Sequence, residues 1–179
     1  MKVSLFVTCL VDQLCPNVGV ATVEVLRRAG CGGVFYERQT CCGQPAFNTG
    51  YRKEASKFAK RFIEIFESSD ADAIVSPSGS CTAMVKHFHE LFPNEPEWRQ
   101  RAEKIAKKTH EFGSFLVNAL KVEDVGAASN EKLTWHDADV PPSKRTWLAV
   151  SDDVLPPLCA RRASSRRRRR SSARMAHRG

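Results

Sequence analysis

Short apolar runs alternating with helical patterns constrain this chain more than any other feature. Residues 2–8 (KVSLFVT) are apolar and β-branched, the pattern of a buried strand. Residues 18–29 carry apolar side chains at helical spacing and stop at Gly30. Residues 34–36 are a second short run, followed by the loop CCGQPAFNTG. Across residues 51–68, Phe58, Phe62, Ile65 and Phe66 share one face with Lys and Arg opposite, the signature of an amphipathic helix. Residues 73–75 form a third strand closed by SPSGS, and 81–92, 95–109 and 111–120 read as helices. A fourth strand is expected at 132–135. This alternation predicts an α/β fold, with a parallel sheet and right-handed crossovers.

Charge is distributed unevenly. The 179 residues carry a net charge of +8, which suggests nucleic acid until it is located. Residues 1–138 hold 17 Lys and Arg against 17 Asp and Glu, whereas 139–179 hold 11 against 3. The body is therefore neutral and the imbalance belongs to the last stretch. There hydrophobic periodicity stops, prolines pair, and Arg166 to Arg170 sit between serine pairs. The expectation is a domain over 1–138 and a disordered basic tail over 139–179. A polyanion-binding module acting through that tail is the alternative function. No aromatic residue interleaves the arginines to stack bases, so a nucleic-acid role is disfavoured. At 42% hydrophobic residues the chain can bury a core, and no run of eighteen apolar residues is present to span a membrane. The N-terminus lacks a signal-peptide pattern, so a cytoplasmic location is expected.

Four of the seven cysteines are placed where a parallel sheet would gather them. Cys9 follows the first strand, Cys41 and Cys42 the second, and Cys81 the third. In such a sheet the carboxyl ends of the strands meet along one edge, where ligands bind. Cys81 also opens a helix, whose free N–H groups and partial positive charge favour a thiolate. Gly43 and Gly79 would let backbone approach a bulky inorganic group. Adjacent cysteines suit an iron–sulfur cluster better than one zinc ion, which usually takes CxxC pairs. A thiol–disulfide enzyme using Cys41 and Cys42 is a weaker reading, since CxxC is lacking and Cys81 makes a third thiol. Cys15 and Cys31 read as packing or incidental, Cys159 receives no role, and His87, His89 and His110 read as surface or partly packed helix residues.

Cys9, then 31 residues, then Cys41-Cys42-Gly43, and further on Ser78-Gly79-Ser80-Cys81, resembles the cysteine-rich CCG domain. A closer likeness is to the lactate utilization protein A family. It rests on SLFVTCLVD, CCGQPAFNTGY, VSPSGSCTAM and FLVNALKVEDVGA, over residues 1 to about 137. The resemblance implies an iron–sulfur redox subunit of a multi-protein system that oxidises L-lactate to pyruvate. Its partners would be an iron–sulfur ferredoxin-like protein and a third subunit. By position, Cys9, Cys41, Cys42 and Cys81 match cluster ligands, and four thiolates suffice for a [4Fe–4S] cluster. No flavin fingerprint or lactate-binding Arg/His pair is visible, and no catalytic residue is assigned. Two departures stand out. Ser78 replaces the first cysteine of CxxC, and Asp139 stands where a second copy of the domain would carry the cysteine of His-x-x-Cys-His. The chain is thus expected to be the N-terminal half of a longer protein, joined to frameshifted sequence. Loss of the second half is expected to expose apolar surface along 112–120 and 132–135.

Overall fold

The computed structural model describes residues 1–127. Four strands form one all-parallel sheet in the order β2-β1-β3-β4: β1 Lys2–Leu5, β2 Gly32–Phe35, β3 Ala73–Ser76 and β4 Thr109–Glu111. The register pairs Leu5 with Phe35 and with Val75, and Ser76 with Glu111. The expected α/β class with a parallel sheet is what the chain adopts.

Alternation along the strands loads both faces of the sheet. Val3, Leu5, Ala73 and Val75 point to one side, where Leu26, Cys31 and Phe115 cover them. Phe6 and Ile74 point to the other and meet a larger core of Phe62, Phe66, Met84, Phe88 and Phe92. The first face is covered by α2 (Pro16–Arg28), which buries Gly19, Thr22 and Leu26 at helical spacing. The second is covered by α4 (Arg52–Glu67), α5 (Gly79–Lys86) and α6 (Pro96–Lys108). Phe62 stacks on Phe66 at 4.4 Å between ring centres and meets Phe6 edge-on at 4.8 Å, which fixes α4 against β1. Two short helices, α1 (Cys9–Leu14) and α3 (Gln44–Asn48), follow β1 and the loop after β2.

Several expectations are corrected. The segment read as one helix over 81–92 breaks at His87 into α5 and a 3₁₀ turn, Phe88–Leu91. Between the two helices expected over 95–120 lies β4, a strand of sequence Thr-His-Glu, so His110 is a strand residue. Beyond β4, α7 (Phe112–Ser114) runs into a π-helical turn, Phe115–Ala119. Of the apolar side chains along 112–120, Phe115 (0% exposed) and Leu116 (1%) are buried, while Phe112, Val117 and Leu120 stay half-buried. The expected strand at 132–135, the basic tail and Cys159 lie outside the described residues. Among the described residues, no helix is long and apolar enough to cross a membrane.

Candidate cysteine centre

Three strand ends deliver the site. After β1, the buried Thr8 takes an extended conformation and caps α1, its hydroxyl accepting from the Val11 N–H at 3.4 Å. That cap fixes Cys9 as the first residue of the helix. After β3, Ser78 precedes α5 in extended conformation and Cys81 is the third helical residue. Between β2 and α3 the chain carries Cys41 and Cys42, and Gly43 closes the loop at φ +81°. A Cβ on Gly43 would stand 3.0 Å from Phe58 Cβ and 3.4 Å from the Ala55 carbonyl oxygen. Glycine is therefore required twice, by its left-handed backbone and by close approach to α4. Its open side faces that helix. Around Gly79 a Cβ would meet nothing within 4 Å.

The four cysteines singled out by their positions at strand ends come together as two pairs. Cys9 Sγ donates to Cys41 Sγ at 3.6 Å. Cys42 and Cys81 shift each other's protonation through a hydrogen bond, and Cys9 feels Cys81, and Cys42 feels Cys41, electrostatically. The neighbours in sequence thus face different partners, which gives the vicinal Cys41–Cys42 disulfide reading no support. Cys42 (2% exposed) and Cys81 (7%) form a deep pair, while Cys9 and Cys41 are half-buried.

Protonation follows from this arrangement. The Cys81 thiol is pulled from its ordinary 9.0 down to about 6, first by the hydrogen bond with Cys42. Burial opposes this, and hydrogen bonds with the hydroxyls of Ser78, Ser80 and Thr8 reinforce it. Cys42 moves the opposite way, raised by its bond to Cys81 and then by burial. The deep pair therefore behaves as one thiolate held by one thiol. Cys9 is raised by burial and then by Cys41. Sequence reasoning pointed to the helix terminus; the structure adds side-chain hydrogen bonds from Cys42, Ser78, Ser80 and Thr8 that act in the same direction. Thr8 was not singled out, and Ser78 and Ser80 were read only as motif positions, although hydroxyl residues flanking a strand-end cysteine are a readable signal.

A cleft of about 250 Å³ opens beside the shallow pair, lined by Cys9, Cys41, Gln39, Phe35, Asp12 and Glu37. The other cysteines lie elsewhere. Cys31 is buried in the core under α2, and Cys15 is exposed at the start of that helix. His87 pairs with Glu90 at 2.7 Å, and His89 with the Lys86 carbonyl at 3.2 Å. Burial, then Lys86, lowers the pKa of His110.

The donor set tests what the site could hold. All four donors are sulfur, the soft ligand type of iron–sulfur clusters. Among the described residues, no three His, Cys, Asp or Glu side chains are arranged to hold a single metal ion. Two linked thiol pairs suit a group whose irons are spread over several ångströms better than one central ion.

Comparison with known proteins supplies the remaining finding. The family model for the cysteine-rich domain, CCG, matches residues 3–86. Over 136 residues the chain is 57% identical to lactate utilization protein A of Shouchella clausii, covering 76% of this chain and 56% of that relative. It is 55% identical to lactate utilization protein A of Bacillus subtilis, with the same coverage. Lactate utilization protein A of Geobacillus thermodenitrificans is 54% identical over the same length. The chain spans little more than half the length of these relatives.

Proposed function

We propose that this chain, whose residues 3–86 match the cysteine-rich domain model and which is 57% identical over 136 residues to a lactate utilization protein A, is the iron–sulfur redox subunit of a lactate-oxidising system. Cys9, Cys41, Cys42 and Cys81 are the ligand thiolates, and four of them match the need of a [4Fe–4S] cluster. When bound, such a cluster supplies one-electron transfer between the oxidation of L-lactate to pyruvate and partner subunits of the same system. The observation that carries this reading is the convergence of four thiols from three strand ends, in the pairs Cys9–Cys41 and Cys42–Cys81.

The chain's own residues have distinct tasks in this reading. Cys81, held as a thiolate by Cys42 and three hydroxyls, presents a deprotonated ligand near neutral pH without the help of a metal. Burial of Cys42 and Cys81 keeps water from the inner sulfurs. Thr8, Ser78 and Ser80 donate toward the Cys81 sulfur, where outer hydrogen bonds tune a metal centre. The half-buried Cys9 and Cys41 stand where electrons would pass to a docked partner.

Anaerobic reconstitution of the full chain with ferrous iron and sulfide is the test. We expect bound iron, acid-labile sulfide and broad visible absorption. Each should be lost in Cys42→Ser and Cys81→Ser, and L-lactate should bleach the absorption once the partner subunits are present. A chain that takes up one zinc ion and no sulfide would overturn the reading.

A further inference from the structure

We propose that Gln39 is the positioning residue of the cysteine centre, its side-chain amide taking the place of a missing peptide group and so setting the distance between Cys9 and Cys41. In a parallel ladder, one residue's N–H and C=O bond to the two residues that flank its neighbour on the next strand. The β1–β2 register ends at Leu5 with Phe35, so the next pair would be Phe6 with Tyr36. Continuing the ladder would require the Tyr36 peptide groups to meet the Leu5 carbonyl and the Val7 N–H. The chain instead turns at Tyr36, whose carbonyl accepts from the Gln39 N–H at 3.1 Å.

Gln39 then returns its side chain to the vacated place. Its Oε1 accepts from the Val7 N–H at 2.8 Å, and its Nε2 donates to the Leu5 carbonyl at 3.3 Å. One carboxamide thus supplies both halves of a ladder rung. On the other edge of the same strand, the Phe6 N–H bonds to the Val75 carbonyl at 2.8 Å, so β1 stays clamped from both sides past its last paired residue. Val7 lies two residues before Cys9 and Gln39 two before Cys41. The two bonds therefore tie together the segments that carry the shallow thiols, 3.6 Å apart. Carboxamide length matters: Asn cannot reach, Ala supplies neither bond, and Glu keeps only the acceptor for Val7.

This inference rests on the iron–sulfur reading only for one of its two readouts. In the first, metal-free full chain is treated with phenylarsine oxide, which bridges close thiol pairs. Two As–S bonds form, and the arsenic–oxygen bond breaks with both thiol protons leaving as water, so nothing is oxidised or reduced. Digestion and mass spectrometry then quantify the peptide bridged between Cys9 and Cys41. We expect Gln39→Ala to slow that bridging by about ten- to a hundredfold, a misplacement near 1 Å costing up to about a hundredfold, and Gln39→Glu to fall between it and the parent. Ile105→Val, a core change in α6 remote from the loop, should leave the rate unchanged, which separates positioning from stability. In the second readout, reconstituted Gln39→Ala should release iron and sulfide to a chelator about tenfold faster, the scale on which lost outer-shell contacts weaken metal sites. Bridging at the parent rate in Gln39→Ala overturns the proposal, as does a parent chain that bridges other cysteines in preference. If Gln39→Ala does not fold, the isosteric Gln39→Glu decides by the same rate. A parent chain that takes up no iron and sulfide refutes the cluster while the arsenical rates still judge Gln39.

Discussion

At the residue scale the deep pair makes the sharpest claim. Cys81 has its pKa depressed in the folded chain, from 9.0 to about 6. A group with a depressed folded value adds stability that is full above its unfolded pKa and lost as pH falls through the folded one. Cys81 in the metal-free chain therefore contributes its full share above about pH 9 and loses it on the way down to about pH 6. Thermal melts of the chain and of Cys81→Ser, taken from pH 5 to pH 9, should show a Tm gap that widens as pH rises. A gap independent of pH would show that Cys81 is not held as thiolate. Ser78→Ala removes one of the stabilising hydrogen bonds and should move the midpoint of that widening upward. The cysteines themselves were legible in the sequence because strand ends of a parallel sheet share an edge. Gln39 was not, since a side chain that imitates backbone leaves no pattern along the chain.

At the scale of elements, the loop from β2 to α3 depends on α4 as much as on its own residues. Gly43→Ala places a Cβ against Phe58 in a backbone conformation unfavourable to alanine, and should cost about 1–3 kcal/mol. Urea unfolding measures that loss, and iron uptake should fall with it because Cys41 and Cys42 shift together. Phe62→Ala, in the aromatic core beneath the same helix, should cost about 3–5 kcal/mol. Periodicity revealed α4 because its six buried residues fall on one stripe of a long helix. It could not reveal β4, whose Thr-His-Glu sequence carries no apolar run. That strand exists because Ile74, Val75 and Ser76 offer it a partner, a fact of tertiary pairing that local pattern does not record. The break at His87 was likewise hidden, since Phe88 and Phe92 continue the apolar count while the backbone tightens into a 3₁₀ turn.

For the whole molecule, two cores on opposite faces of the sheet decide which apolar residues matter. Leu10 (66% exposed) and Leu14 (73%) stand outside both, on the outer side of α1. Leu10→Ser and Leu14→Ser should each shift unfolding by no more than about 0.5 kcal/mol. Leu116→Ala, within the segment expected from sequence to be exposed, should cost about 2–5 kcal/mol. The reverse order in a denaturant series would show that the last described segment is not part of the core. The depth ordering of the four sulfurs also gives the centre a wet end and a dry end. Anything entering from solvent meets Cys9 and Cys41 before it can be handed inward to Cys42 and Cys81, and anything leaving departs in the opposite order. Oxidants and chelators must obey the same queue, so chemical damage to this centre is written on the outer rung first and reaches the inner one only after the outer has given way.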